Sequence, residues 1–460
     1  MPANPFPEAI AEAEAFLAAN PQAQSFQLIF TDLCGAQRGK HLRREELMAA
    51  YRDGRFMPGS ILSLDMTGRD IEETGLVWED GDADRIVWPV PGTLKTVPWI
   101  DGGTSAQFIT TMREMDGSRS IAEPRNVLQS VVEQFSGLNL TPVAAIELEF
   151  YLFDRAAALA GTPRPPRALV NEARPEHFQA YLLNDLDDFA PFFEDLYAAC
   201  DAQGLPARTL ISEYAPGQME VVLKHRANAL QAADEAVMLK RLVRAVADKH
   251  GLAASFMAKP YSQFTGCGMH VHTSLARPDG SNAFTADRAE ESTLMLQAIA
   301  GMMATMADGM LIFAPNANSY RRFRKSSYAP VAPNWAVNNR TVSVRVPAST
   351  GETMHIEHRP AGADANPYLV LAAVLAGMHH GITGKLDPGA PVTGNGYEQP
   401  APPMPTNWYA AAEAFRKSDV MKAYLGERLV DIFATIKEVE ADRFYAEPTA
   451  LDFAWYLRTV

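Results

Sequence analysis

Residues 145–151 read Ala-Ile-Glu147-Leu-Glu149-Phe-Tyr, two carboxylates alternating with large apolar side chains. An extended strand reconciles that order with burial. Successive side chains then point to opposite faces, so Ile146, Leu148 and Phe150 enter a core while both acids share the other face. Two acids side by side on one face make half of a divalent-metal site.

Four later segments set charged or ligating residues in similarly apolar, β-prone surroundings. They contain Glu213 and Glu220 (residues 213–220), Gly266, His270 and His272 (266–272), Arg340 and Arg345 (339–347), and His355, Glu357 and Arg359 (355–359). In the last, the acid and the arginine share strand parity and project side by side. Burying such a pair is costly unless something bridges it. The candidate ligands, Glu147, Glu149, Glu213, Glu220, Glu357 and His270, are oxygen-dominated, which suits magnesium or manganese better than zinc. Two ions sharing the set fit better than one magnesium, which keeps waters and substrate oxygens.

Arg322, Arg340, Arg345 and Arg359 add forked, always-charged donors that match carboxylates and phosphates. Two metals beside several arginines point to phosphoryl transfer. The chain lacks the Gly-x-x-x-x-Gly-Lys-Ser/Thr loop, and Gly266-Cys-Gly268 lacks the third glycine of a dinucleotide turn. Any nucleotide is therefore held mainly by metals and arginines.

The chain has 460 residues, 47% hydrophobic and 21% charged, which predicts a soluble globular protein of two domains. A net charge of -14 argues against a nucleic-acid partner, whose phosphates call for basic patches. Three widely spaced cysteines, Cys34, Cys200 and Cys267, give neither a disulfide framework nor a Cys-x-x-Cys zinc site, which fits a reducing cytoplasm. The first 26 residues lack a basic segment and a long apolar core, so they read as a surface helix rather than a signal peptide. No apolar run reaches the ~18 residues that span a bilayer, so no membrane association is expected.

Strand-like runs at 26–30 and 85–88 and a turn at 79–84 predict a small sheet-rich domain over residues 1–117. A turn at 115–118, and a helix over 126–135 opened by Glu123-Pro124, mark the start of a large α+β domain, 118–460. Helical spacing covers 230–250 and 292–311, and residues 156–176, rich in Pro and Gly, predict a long irregular loop. Cys267, His379, His380 and the methionines 302, 303, 306 and 310 read as packing residues, and Gly217 as the turn between the segments bearing Glu213 and Glu220.

Taken together these motifs resemble the glutamine synthetase superfamily along nearly the whole chain. Asn318-Ser-Tyr-Arg-Arg322-Phe looks like the family's Asn-Ser-Tyr-Lys/Arg-Arg segment, and Glu357-His-Arg359 running into residues 362–369 looks like its metal and glutamate strand with the helix that follows. The resemblance implies a β-grasp-like N-terminal domain and a catalytic domain with an antiparallel sheet flanked by helices. It also implies a homo-oligomer of stacked hexameric rings, with each active site formed between neighbouring subunits.

Carried over residue by residue, Glu149, Glu213 and Glu220 match one metal site, and Glu147, His270 and Glu357 the second. Gly266, Arg322, Arg340 and Arg359 match glutamate contacts, Arg340 and Arg345 phosphate contacts, and His272 and Ser274 the nucleotide side. Arg340, Glu357 and Tyr328 match catalytic positions. The implied reaction moves the terminal phosphoryl group of ATP to the glutamate γ-carboxylate, after which an amine displaces phosphate.

At the acceptor end the chain departs from ammonia-using members of the family. Met57 and Tyr328 stand where those carry an aspartate and a glutamate, so an ammonium ion loses its main attraction while aromatic walls suit an alkyl amine. Residues 59–76 and 320–328 most closely resemble the glutamate–polyamine ligases of the family. Asp65 and Glu73 are the candidate anchors for a distal ammonium. Putrescine or another polyamine is the expected acceptor; ligation of a small monoamine, ammonia-dependent glutamine synthesis, and a silent sensor with this fold are the alternatives.

Overall fold

The computed structural model describes residues 2–79, 81–100 and 103–460. Met1 of the expected N-terminal helix and Asp80 of the expected 79–84 turn lie outside the described residues. The N-terminal helix spans Ala9–Ala19.

The apolar run at 26–30 becomes the strand Ser25–Thr31, with Phe26, Leu28, Ile29 and Phe30 buried. It pairs antiparallel with Gln37–Arg43 and parallel with Ser105–Arg113. Ser105–Arg113 in turn leads to Asp84–Pro89 and then Arg55–Pro58, and Lys95–Thr96 also pairs with it. The helix Arg44–Asp53 lies across this sheet through Leu47, Ala50 and Tyr51, the tyrosine ring 5.5 Å from Phe108. A mixed sheet crossed by one helix is the arrangement expected of a β-grasp.

Among the described residues a second sheet runs in the order Trp335–Val337, Val344–Val346, Ile356–His358, Met269–Ala276, Thr141–Asp154, Gln218–Leu223, Ala207–Ser212, with Leu252–Ser255 on the far half of Thr141–Asp154. Its pairs are antiparallel except the one between Trp335–Val337 and Val344–Val346. The helix expected at 126–135 spans Pro124–Gln134; proline fills its first turn and the Glu123 side chain caps it by accepting from Asn126 N at 2.8 Å. Ala229–Lys249, capped by Asn228, packs behind the strand Thr141–Asp154.

Two expectations need correction. Residues 292–311 do not form one helix but two, Thr293–Ala304 and Met306–Phe313, bent by 68°. The Thr305 hydroxyl at the break donates back to Gly301 O at 3.0 Å, a bond that bends helices. Residues 156–176 are not wholly irregular either, because Asp154 caps a short helix, Arg155–Leu159, by accepting from Ala157 N.

The core centres on Pro367–Gly384, buried along most of its length. It crosses Thr293–Ala304 almost backbone to backbone: a Cβ on Gly301 would fall 2.0 Å from Gly377 O, so only glycine fits there. Met302, Met306 and Met310 are buried and Met303 is half-buried, and His379 Nδ1 bonds the Tyr424 hydroxyl at 2.7 Å, a packing role. The N-terminal sheet is tied to this body by Asn366, which donates to Asp32 O and Leu33 O, and by the helix Glu427–Ala446, whose Glu440 accepts from Met66 N at 2.6 Å. Among the described residues no single helix is long and apolar enough to cross a membrane.

Candidate active site

The alternation at 145–151 lies within the strand Thr141–Asp154. Ile146, Leu148 and Phe150 are buried behind it. Register then brings the acids to their partners: Glu147 stands opposite His270, Glu149 opposite Glu220, and Glu357 opposite both His272 and Arg345. Glu213 follows the strand Ala207–Ser212, and Gly217, with φ of 75°, turns the chain back to Glu220. Five glutamates far apart in sequence therefore face one cleft of about 480 Å³ with His270, Arg322, Arg340, Arg345, Arg359, Gly266 and Tyr328.

Burial and like charge dominate the electrostatics. Burial first, then Glu213, raises Glu149 to about 8. Burial and the surrounding carboxylates, Glu147 first, raise Glu220 to about 10. Glu213 is also raised, chiefly by burial. Burial pushes Glu147 the same way, but bonds from His270 and His272 outweigh it and hold Glu147 well below the usual range. Glu357 falls to about 2 because Arg359, at 2.5 Å, and then His270 and His272 overcome its burial; Arg345 also bonds it, at 2.7 Å.

The donor chemistry fits divalent cations. Glu147, Glu220 and His270 each offer an atom within 4.8 Å of the others, as do Glu147, His272 and Glu357. His272 Nε2 is buried 2.9 Å from Glu147 Oε1, so the imidazole is held against the carboxylate that both ligand groups share. Crowded carboxylates that resist ionisation are what a hard cation relieves. The buried Nε atoms of Arg345 and Arg359 also lack partners, which leaves donors for a phosphate or carboxylate.

Other positions are set by packing. A Cβ on Gly266 would meet Arg322 Cγ at 2.8 Å, so the glycine lets that arginine cross the cleft floor, where it donates to Pro360 O and Arg359 O. His272 and Ser274 continue along the strand Met269–Ala276 beyond the cleft, and His272 stands 5.2 Å from the His355 ring. Cys267 is fully buried, and burial holds its thiol well above the usual range. Gln218, singled out by no charge, bridges Glu149 Oε2 and Gly266 O; its parity with Glu220 was the available signal. Tyr181, Tyr214 and Thr265 also line the cleft.

Met57, Asp65 and Glu73 do not line it. Met57 is buried in the N-terminal sheet, and Glu73 is exposed on a short 3₁₀ turn. The Asp65 carboxylate is engaged by Thr67, Arg69 N and Arg443, which together outweigh burial and lower it.

An acidic, arginine-walled cleft on a large, mostly antiparallel sheet offers donors for divalent cations and for anionic groups together. The glutamine synthetase catalytic domain model matches residues 121–456. The chain is 39% identical to gamma-glutamylputrescine synthetase PuuA of Escherichia coli (strain K12), covering 97% of this chain and 94% of that protein. It is 31% identical to a glutamate–isopropylamine ligase of Pseudomonas sp over 93% of each. A solved structure of GmaS without ligand superposes with a TM-score of 0.84 at 26% identity, over 96% of this chain and 99% of that one. The chain belongs to the glutamine synthetase family and is a ligase.

Proposed function

We propose that the chain joins an amine, putrescine or another polyamine, to the γ-carboxylate of glutamate at the expense of ATP, through γ-glutamyl phosphate. The carrying observation is the composition of the cleft mouth, where the Tyr328 and Tyr214 rings stand 6.2 Å apart; by the family resemblance Tyr328 replaces an acid that ammonia-using members carry. The 39% identity to a gamma-glutamylputrescine synthetase supports the same acceptor. The 31% identity to an isopropylamine ligase and the 30% identity to a gamma-glutamylethanolamide synthetase favour, as a second reading, a small monoamine.

Magnesium or manganese ions held by Glu149, Glu213 and Glu220, and by Glu147, His270 and Glu357, supply charge neutralisation for phosphoryl transfer when bound. Arg359 and Arg322 orient glutamate, with Gly266 leaving room for the backbone approach. Arg340 and Arg345 direct unspent donors at the transferring phosphoryl group, and His272 and Ser274 flank the nucleotide. Glu357 holds Arg345 and Arg359 in place between them. The amine must attack unprotonated.

We also assign residues 1–117 to a separate N-terminal domain, supported by the family match beginning at 121. The chain acts as a cytoplasmic homo-oligomer of stacked rings whose neighbour completes the mouth; that Met57 lies away from its own cleft supports the shared site. The test is ADP formation with glutamate across a panel of amines. Turnover with putrescine exceeding that with methylamine, ethanolamine and ammonia is the expected result. Equal or greater turnover with a monoamine overturns the acceptor, and no turnover with any amine overturns the ligase.

A further inference from the structure

Large aromatic side chains are left exposed along one path beside the cleft. Tyr328 is 53% exposed, Tyr214 40% and Phe178 46%. Their rings stand in sequence: Tyr328 to Tyr214 6.2 Å, Tyr214 to Phe178 5.3 Å, Phe178 to Phe264 5.4 Å and edge-on, Phe264 to Tyr261 5.3 Å. Backbone bonds fix the path: Gln179 N donates to Tyr214 O and Tyr181 N to Ser212 O, laying residues 178–181 alongside the segment that carries Glu213. The inner end lies at the carboxylate cleft.

The outer end opens into a second depression of about 360 Å³, lined by Tyr261, Phe264, Glu176 and three prolines. Arg164 and Arg174 also line it, and both bond the single carboxylate of Asp154. The Glu176 carboxylate has no hydrogen-bond or ion-pair partner among the described residues. An aromatic track leading from the cleft to a free acid is complementary to a flexible aliphatic chain whose near amine reacts unprotonated in the cleft and whose far end is a cation. A monoamine would use only the inner end.

We propose that this path is the acceptor subsite for a long aliphatic diamine or polyamine: its reacting amine passes Tyr328 and Tyr214, its methylenes lie on Phe178, and its distal ammonium rests against Phe264, Tyr261 and Glu176. Exposed aromatic faces hold a cation and its methylene stem by electrostatic attraction and by removing apolar surface from water. The subsite deepens the ligase reading, on which it rests for the reaction but not for binding.

The experiment measures equilibrium binding of α,ω-diamines from three to six carbons, and of spermidine, to the full chain, beside kcat/KM for spermidine and methylamine. Affinity rises with chain length in the unaltered protein. In Phe178→Ala and Glu176→Gln the spermidine-to-methylamine ratio of kcat/KM falls about two- to fivefold, the weight of one exposed cation contact. Phe178→Trp retains the ratio, and Phe178→Leu, which keeps the area but not the π face, lowers it. Affinity independent of length, or parallel loss for both amines in every variant, overturns the subsite. Length-dependent binding without amine-dependent ADP formation sinks the reaction and leaves the subsite standing.

Discussion

Glu149 and Glu220 face each other across an antiparallel pair, in register, with both side chains in one cleft. Like charges directly opposite destabilise a sheet, and burial adds to the cost. The folded chain answers by raising Glu149 to about 8 and Glu220 to about 10, which makes the pair a proton trap without cations and suits it to the ligand role proposed above.

The sign of the resulting pH dependence follows from linkage. Both groups bind protons more tightly folded than unfolded, so their contribution is complete below the unfolded value near 4.5 and is lost as pH rises through about 8 for Glu149. Thermal unfolding in EDTA is expected to show Tm falling between pH 5 and about 8. Added magnesium or manganese raises Tm most at the alkaline end. Glu220→Gln raises the metal-free Tm at pH 8 and abolishes the metal-induced increment. An increment equal in both proteins contradicts the ligand assignment.

Arg340 is exposed at the cleft, whereas Glu357 is buried between two guanidinium groups. Arg340→Ala should therefore shift stability by no more than about 0.5 kcal/mol while removing amine-dependent phosphate release. Glu357→Ala should abolish release too, with a lower Tm because Arg345 and Arg359 lose their counter-charge. Circular dichroism and a phosphate assay separate the two, and near-normal turnover in either contradicts its role.

Restoring an acid at the mouth tests the aromatic wall. Tyr328→Glu should raise kcat/KM for ammonia relative to putrescine by about tenfold, the effect of one favourable charge in a partly desolvated site. Pairing it with Met57→Asp extends the test but introduces an acid at a residue buried within its own chain, so the single variant is the cleaner measurement. An unchanged ratio refutes the wall.

Asp65 makes its bonds at home. Asp65→Asn is expected to cost about 1–3 kcal/mol of stability, through loss of charge-assisted bonds to Thr67, Arg69 N and Arg443, with little change in the KM for diamines. Because its carboxyl is lowered in the fold, the contribution is present above the unfolded value of 3.8 and disappears as pH falls through the folded one. A large rise in diamine KM without loss of Tm would instead make Asp65 an acceptor anchor.

What the sequence determined is local. Alternation at 145–151 dictated a strand with Glu147 and Glu149 on one face, and Pro124 after Glu123 dictated where a helix begins, because strand parity and capping depend on neighbours a few residues apart. The break at Thr305 escaped it, since apolar spacing continues unchanged through the bend. Only the tertiary structure decided which acids meet. Register set Glu149 against Glu220, Arg443 captured Asp65, and rings from positions 178, 214, 264 and 328 came together as one path. Those relationships arise from long-range strand pairing and chain closure, which no short window of residues encodes.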